Sequence, residues 1–129
     1  MVNEDLIREN IAILSYIGDA AYELIVRKHV IGTGITHADR LHIAATKYVR
    51  ASAQARVIKD IFDSLTEEEK QLVKRARNKR ISTKPKNADP VEYKWATAFE
   101  ALLGYYCVSG QEERLESVAK TAIDFINRG

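Results

Sequence analysis

Residues 98–104 read Ala98-Phe99-Glu100-Ala101-Leu102-Leu103-Gly104, an apolar run that carries one carboxylate and ends on a glycine. The signals around it place it inside a helix. Asp89 is a good N-cap, Pro90 suits the first helical position, and Glu92 falls where a capping-box acid belongs. Gly110 supplies a stop, so the spacing predicts a helix from Pro90 to about Ser109. A glycine inside a helix costs about 1 kcal/mol relative to alanine. Its physical use there is to let another backbone come close. The same combination recurs in Tyr16-Ile17-Gly18-Asp19-Ala20-Ala21. The simplest reading is that these two helices cross near Gly18 and Gly104. The crossing would bring together Asp19, next to Gly18, and Glu100, one turn before Gly104.

Working outward, the remaining segments also read as helices, and the expected class is all-α. Proline occurs only at Pro85 and Pro90, and no long alternation of period two is present. Asn3 can cap a first helix with Glu4 and Asp5 in its first turn. Ile7, Ile11, Leu14, Ile17/Gly18, Ala21 and Leu24/Ile25 then recur at helical spacing. Ser15, Asp19, Tyr22 and Glu23 share the other, partly polar face. Gly32 and Gly34 end this helix, and Thr36 with Asp39 resembles a capping box for the next, through Leu41, Ala44/Ala45 and Tyr48/Val49. After a bend near Ser52 come Ala55, Ile58, Ile61/Phe62 and Leu65. Thr66 and Glu69 form a further capping box before Leu72, Val73 and Ala76. The last helix shows Leu115, Val118, Ala119, Ala122, Ile123 and Ile126 on one stripe, with Glu112 and Glu113 suiting its positive N-terminus. Lys79 to Ala88 is the long loop. Residues 1–129 are expected to form a single domain, large enough to bury roughly two-thirds of its unfolded surface.

With 46% apolar and 29% charged residues the chain falls in the ordinary globular class. The single Cys107 cannot form an internal disulfide, so a reducing cytoplasm is expected. No apolar run reaches membrane-spanning length, and Met1 to Asn10 carries two Glu and an Asp, unlike a basic secretory leader. The net charge of +2 is unevenly placed. Lys74, Arg75, Arg77, Lys79, Arg80, Lys84 and Lys86 fall in one stretch with no acid, leaving the other 13 basic residues against 18 acids, a net of −5. A positive segment on an acidic body suggests contact with a polyanion. On charge alone it reads equally as a solvated loop.

Asp19 and Glu100 carry the chemistry. A carboxylate in an apolar surround needs a cation, a donor or a raised pKa. Two of them meeting in a cleft are natural ligands for a hard divalent cation, and Mg²⁺ fits best because it accepts one or two carboxylates plus waters and substrate phosphates. The bland alternative is that each acid faces solvent. His29, His37 and His42 lack ligand spacing, so neither a zinc site nor a Cys–His nucleophile is supported.

The segments Tyr16 to Ala20 and Ala98 to Gly104 resemble the two catalytic motifs of ribonuclease III enzymes, approximately Phe-Leu-Gly-Asp and Asp-x-Phe-Glu-Ala, in order and in separation. Arg75-Ala76-Arg77-Asn78 and Pro85-Lys86-Asn87 are similar to the Mini-ribonuclease III branch, which lacks a double-stranded-RNA-binding domain. The resemblance covers essentially the whole chain. It implies a ribonuclease III-like helical fold and a homodimeric endonuclease that hydrolyses double-stranded RNA to 5′-phosphate and 3′-hydroxyl ends. Mg²⁺ would be held by Asp19 and Glu100. It further implies maturation of precursor 23S (large-subunit) ribosomal RNA in a bacterial cytoplasm, with room for a ribosomal-protein helper. Duplex RNA is read mostly through shape, phosphates and 2′-hydroxyls. The expected contacts are therefore Lys74, Arg75, Arg77, Asn78, Lys79, Arg80, Lys84 and Lys86, on a segment spanning 74–88.

The departures from the larger enzymes fall at Ser15 and Thr97, where those enzymes carry acids. They match the Mini-ribonuclease III branch and leave fewer ligands for a second metal. Ser15 and Thr97 could instead orient water through their hydroxyls. Asp39, and more weakly Glu23, are candidate extra ligands, though each reads first as structural. For dimerisation, Tyr105, Tyr106 and Val108 exceed one helix stripe and could serve core or interface. The alternatives are a catalytically inactive ribonuclease III-like module that only binds double-stranded RNA, and a helical DNA-binding or adaptor protein.

Overall fold

Asn10 turns its side-chain oxygen to accept from the Ile13 N–H at 3.2 Å, and α1 (Ile11–Gly32) begins there. A computed structural model describes residues 10–80 and 86–129. The cap at Asn3, the positions Glu4, Asp5 and Ile7, and Lys84 and Pro85 lie outside the described residues. After α1 follow α2 (Ala38–Val49), α3 (Ala51–Ile61), a 3-10 turn (Phe62–Ser64), α4 (Glu67–Asn78), α5 (Pro90–Val108) and α6 (Glu112–Arg128). The all-α class holds, with no strand among the described residues.

The organising helix is α5. Apolar side chains surround it, so only a buried position satisfies it. It packs against α1, α3, α4 and α6, burying Ala98, Phe99, Ala101, Leu102, Leu103 and Tyr106. Its ends are as the sequence requires. Asp89 accepts from the Val91 and Glu92 N–H groups at 2.8 and 3.3 Å, and Gly110 takes a left-handed conformation (φ 73°) just past the last turn.

A second tie joins α4 to α5 and α6. Thr66 and Glu69 make the expected capping box, but Glu69 does more than cap. It is 4% exposed, and its carboxylate accepts from the Tyr106 hydroxyl at 2.7 Å and from Arg114 at 2.9 and 3.1 Å. Burial alone would raise its pKa. The Arg114 guanidinium, the Thr66 N–H and the Tyr106 hydroxyl overcome that and hold it down to about 2. This buried charge is matched, which is the condition under which burial is tolerated.

Several expectations need correction. The Thr36–Asp39 capping box does not form, because α2 starts one residue later, with His37 at the N-cap and no side-chain cap. Asp39 instead stands in the first turn, where its charge suits the helix N-terminus. On α1, Tyr22 belongs to the core rather than the polar face: it is 1% exposed, with its ring edge-on to Phe99 at 4.9 Å. Leu24 is 55% exposed, and Ile25 covers the core in its place. Both differences arise because the buried stripe of α1 runs Ile11, Leu14, Gly18, Tyr22, Val26 and Val30, which takes in Tyr22 and leaves Leu24 outside. Tyr106 is fully buried and belongs to the core, while the Tyr105 hydroxyl donates to Glu68 at 2.8 Å on the surface.

Candidate active site

Gly18 and Gly104 meet as expected, and closely. A Cβ on Gly18 would overlap the Glu100 carbonyl oxygen and come within 2.8 Å of the Gly104 nitrogen, while one on Gly104 would overlap the Leu14 carbonyl oxygen. The contact is reciprocal, since each glycine lies against the residue one turn before the other. The backbones of α1 and α5 therefore touch, and the acids beside the glycines are forced together.

Asp19 is exposed at the rim and Glu100 is half-buried below it, near enough to share a hydrogen bond. Ser15, one turn before Asp19, donates its hydroxyl to Glu100 Oε1 at 3.2 Å. Gln54 of α3 is the residue that sequence reasoning missed. It is 2% exposed, its Nε2 donates to the Val49 carbonyl at 3.0 Å, and its amide lies close enough to Glu100 to pull that carboxyl's pKa down. The available signal was a polar residue on the buried stripe Gln54, Val57/Ile58, Ile61. Thr97 contributes less: its hydroxyl donates to the Tyr93 carbonyl of its own helix at 2.9 Å.

Two motifs of the right kind thus converge at one helix crossing, and the Ribonuclease III domain model matches residues 12–111, which includes both. The chain belongs to the ribonuclease III family. As a member it is an endoribonuclease. It is 46% identical to Mini-ribonuclease 3 of Symbiobacterium thermophilum over 116 residues, 90% of this chain and 89% of that one. It is 42% identical to Mini-ribonuclease 3 of Brevibacillus brevis over 130 residues, 98% of this chain and 97% of that one. A crystal structure of a Fusobacterium nucleatum protein superposes with a TM-score of 0.79 at 34% identity, covering 87% of this chain and 89% of that one.

Against the ribonuclease III pattern, the pair stands nearly alone. Among the described residues no third His, Cys, Asp or Glu joins Asp19 and Glu100. Asp39 stays exposed on α2, and Glu23 is engaged by Arg27 at 3.1 Å. The donor set fits one hard divalent cation: two adjoining carboxylates with no ion-pair partner among the described residues, and neutral donors steadying the inner one. The basic segment is divided. Lys74, Arg75, Arg77 and Asn78 occupy the last turns of α4 rather than a loop, while Lys79, Arg80 and Lys86 follow it, all exposed except the half-buried Arg77. No helix of the described residues is long and apolar enough to cross a membrane.

Glu100 carries a pH signature. Burial first, then the Asp19 charge and the shared hydrogen bond, push its pKa up to about 8 against the pull of Ser15 and Gln54. With no divalent ion bound, the folded state holds a proton there that the unfolded chain releases near 4.5. The group's contribution to stability is therefore complete below about pH 4.5 and is lost as pH rises to about 8. The thermal midpoint of metal-free protein should fall across that window, and Glu100→Gln should flatten the fall. Equal slopes in the two proteins would mean Glu100 ionises in the fold without penalty. Because the proton must leave before a cation is held, divalent affinity should rise through the same window.

Proposed function

We propose that this endoribonuclease cleaves double-stranded RNA with Mg²⁺ held by Asp19 and Glu100, residues 1–129 acting as one catalytic domain. The observation that carries the reading is the abutment of these two carboxylates at the glycine crossing, their charge uncompensated by any described cation. When bound, Mg²⁺ supplies the positive charge that offsets charge building on the phosphate and makes water more acidic. The chain's own groups set the geometry. Ser15 and Gln54 orient Glu100, and Asp19, at the exposed rim, is the group placed to take the proton from attacking water. The water oxygen bonds to phosphorus as the bond to the 3′ oxygen breaks, and the departing oxygen takes a proton from solvent, leaving a 5′-phosphate and a 3′-hydroxyl.

Lys74, Arg75, Arg77, Asn78, Lys79, Arg80, Lys84 and Lys86 contact the duplex backbone in this reading. One site cuts one strand, so a homodimer is needed to cut both. Support for it comes from α1, where Ile13, Tyr16 (82% exposed), Leu24 and Ile31 leave a row of apolar side chains uncovered. A second copy on that row would lie beside Asp19 and bring two sites near each other. Maturation of precursor 23S ribosomal RNA in a bacterial cytoplasm is the biological role that the likeness to Mini-ribonuclease III supports.

A labelled RNA duplex and the DNA duplex of the same sequence, each incubated with and without Mg²⁺, test the reading. Cleavage of RNA alone, only with Mg²⁺, and with 5′-phosphate products is expected. RNA bound but never cut would favour the inactive module, for which the absence of acids at Ser15 and Thr97 speaks. Equal binding of DNA, indifferent to Mg²⁺, would favour an adaptor.

A further inference from the structure

Trp95, the chain's single tryptophan, is half-buried on α5 between cations from two other helices. Lys59 Nζ of α3 lies 5.5 Å from the ring centroid and Arg77 Cζ of α4 lies 5.1 Å from it. Among the described residues neither cation is within ion-pair distance of a carboxylate, although Asp60 and Asp63 follow Lys59 in sequence and Glu92 stands one turn before Trp95. Arg77 Nε donates to Asn78 Oδ1 at 3.1 Å, which is a neutral partner. One turn before Arg77, Lys74 repeats the pattern, with Nζ 5.9 Å from the Phe62 ring.

Each ring contact holds a cation weakly in place, without cancelling its charge. A carboxylate would have cancelled it. Two unneutralised cations held by one ring leave positive charge at the surface that a polyanion would offset. Their positions are fixed in advance by the ring, which lowers the ordering cost of binding. Arg supplies a planar fork matched to two phosphate oxygens, and Lys supplies a point charge.

We propose that Lys59 and Arg77, held about Trp95, form a two-point clamp on the phosphate backbone of RNA. This places a substrate contact on α3, outside the basic segment 74–88. The proposal rests on reading the chain as a double-stranded-RNA nuclease. Trp95 precedes Glu100 by five residues, about 7.5 Å along the axis of α5 and about 140° around it, so the contact lies off the face that carries the two carboxylates.

The test uses full-length protein and a short RNA duplex in chelator, so that binding is measured without cleavage. Lys59→Ala should lower the slope of log affinity against log salt by about one, and Lys59→Arg should retain it. Duplex addition should also change the Trp95 emission in the wild-type protein and change it less in Lys59→Ala. Duplex binding with the same slope in Lys59→Ala and no emission change would overturn the clamp and leave the nuclease reading standing. Failure of the wild-type protein to bind duplex RNA would overturn both.

Discussion

Asp19→Asn is expected to lower duplex-RNA cleavage at least about 10²–10³-fold, the range seen when one preorganised electrostatic group is removed from a transition state. The substitution keeps shape and hydrogen-bonding capacity but removes the charge that makes Asp19 a ligand and a proton acceptor. The fold should survive, because Asp19 is exposed and its charge opposes the neighbouring Glu100. Metal-free Asp19→Asn protein should be at least as heat-stable as wild type, since one source of repulsion is gone. Duplex RNA should still bind in chelator, because the basic residues are untouched. Inactivity with intact stability and binding is the signature of a chemical role. Retention of more than a tenth of the wild-type rate at saturating Mg²⁺ would remove the pair from the reaction.

Much of this site was legible in the sequence for a physical reason. A glycine inside a helix and a carboxylate in an apolar run each carry a cost, and two such costs at matching places point to one crossing. The helix limits of α5 were equally legible, because Asp89, Pro90 and Gly110 act on their own neighbours. What was hidden depended on partners distant in sequence. Gln54 looks like a minor polar interruption until α3 is laid against α5 and its buried amide is near enough to act on the Glu100 pKa. Tyr22 and Leu24 exchanged roles because the buried stripe of α1 passes from Gly18 to Tyr22 and Val26, a phase fixed by the crossing with α5. Glu69 reads as a cap, and only the approach of Arg114 and Tyr106 shows it to be a buried junction of three helices. Trp95 likewise carries no local signal that Lys59 and Arg77 will meet there.

Gly104→Ala is expected to destabilise the fold by about 3 kcal/mol or more, at or above the upper end of overpacking costs. Two effects compete. Alanine in a helix interior is favoured over glycine by about 1 kcal/mol, whereas the new Cβ overlaps the Leu14 carbonyl oxygen and lies 2.6 Å from its carbon. Those atoms belong to the backbone of α1, so no rotamer change can clear them and the helices must separate. The overlap therefore wins. Gly32→Ala is the matched control, because a Cβ there meets nothing within 4 Å; it should leave the denaturant midpoint unchanged or raise it slightly. The same displacement reaches the chemistry. A Cβ on Gly18 pushes on the Glu100 carbonyl itself, and misplacing a reacting group by about 1 Å can cost 10²-fold in rate. Gly18→Ala protein that still folds should thus lose cleavage well beyond its loss of stability. If Gly104→Ala unfolds at the same denaturant concentration as Gly32→Ala, the two helices do not cross in contact, and close backbone approach is not what brings Asp19 and Glu100 together.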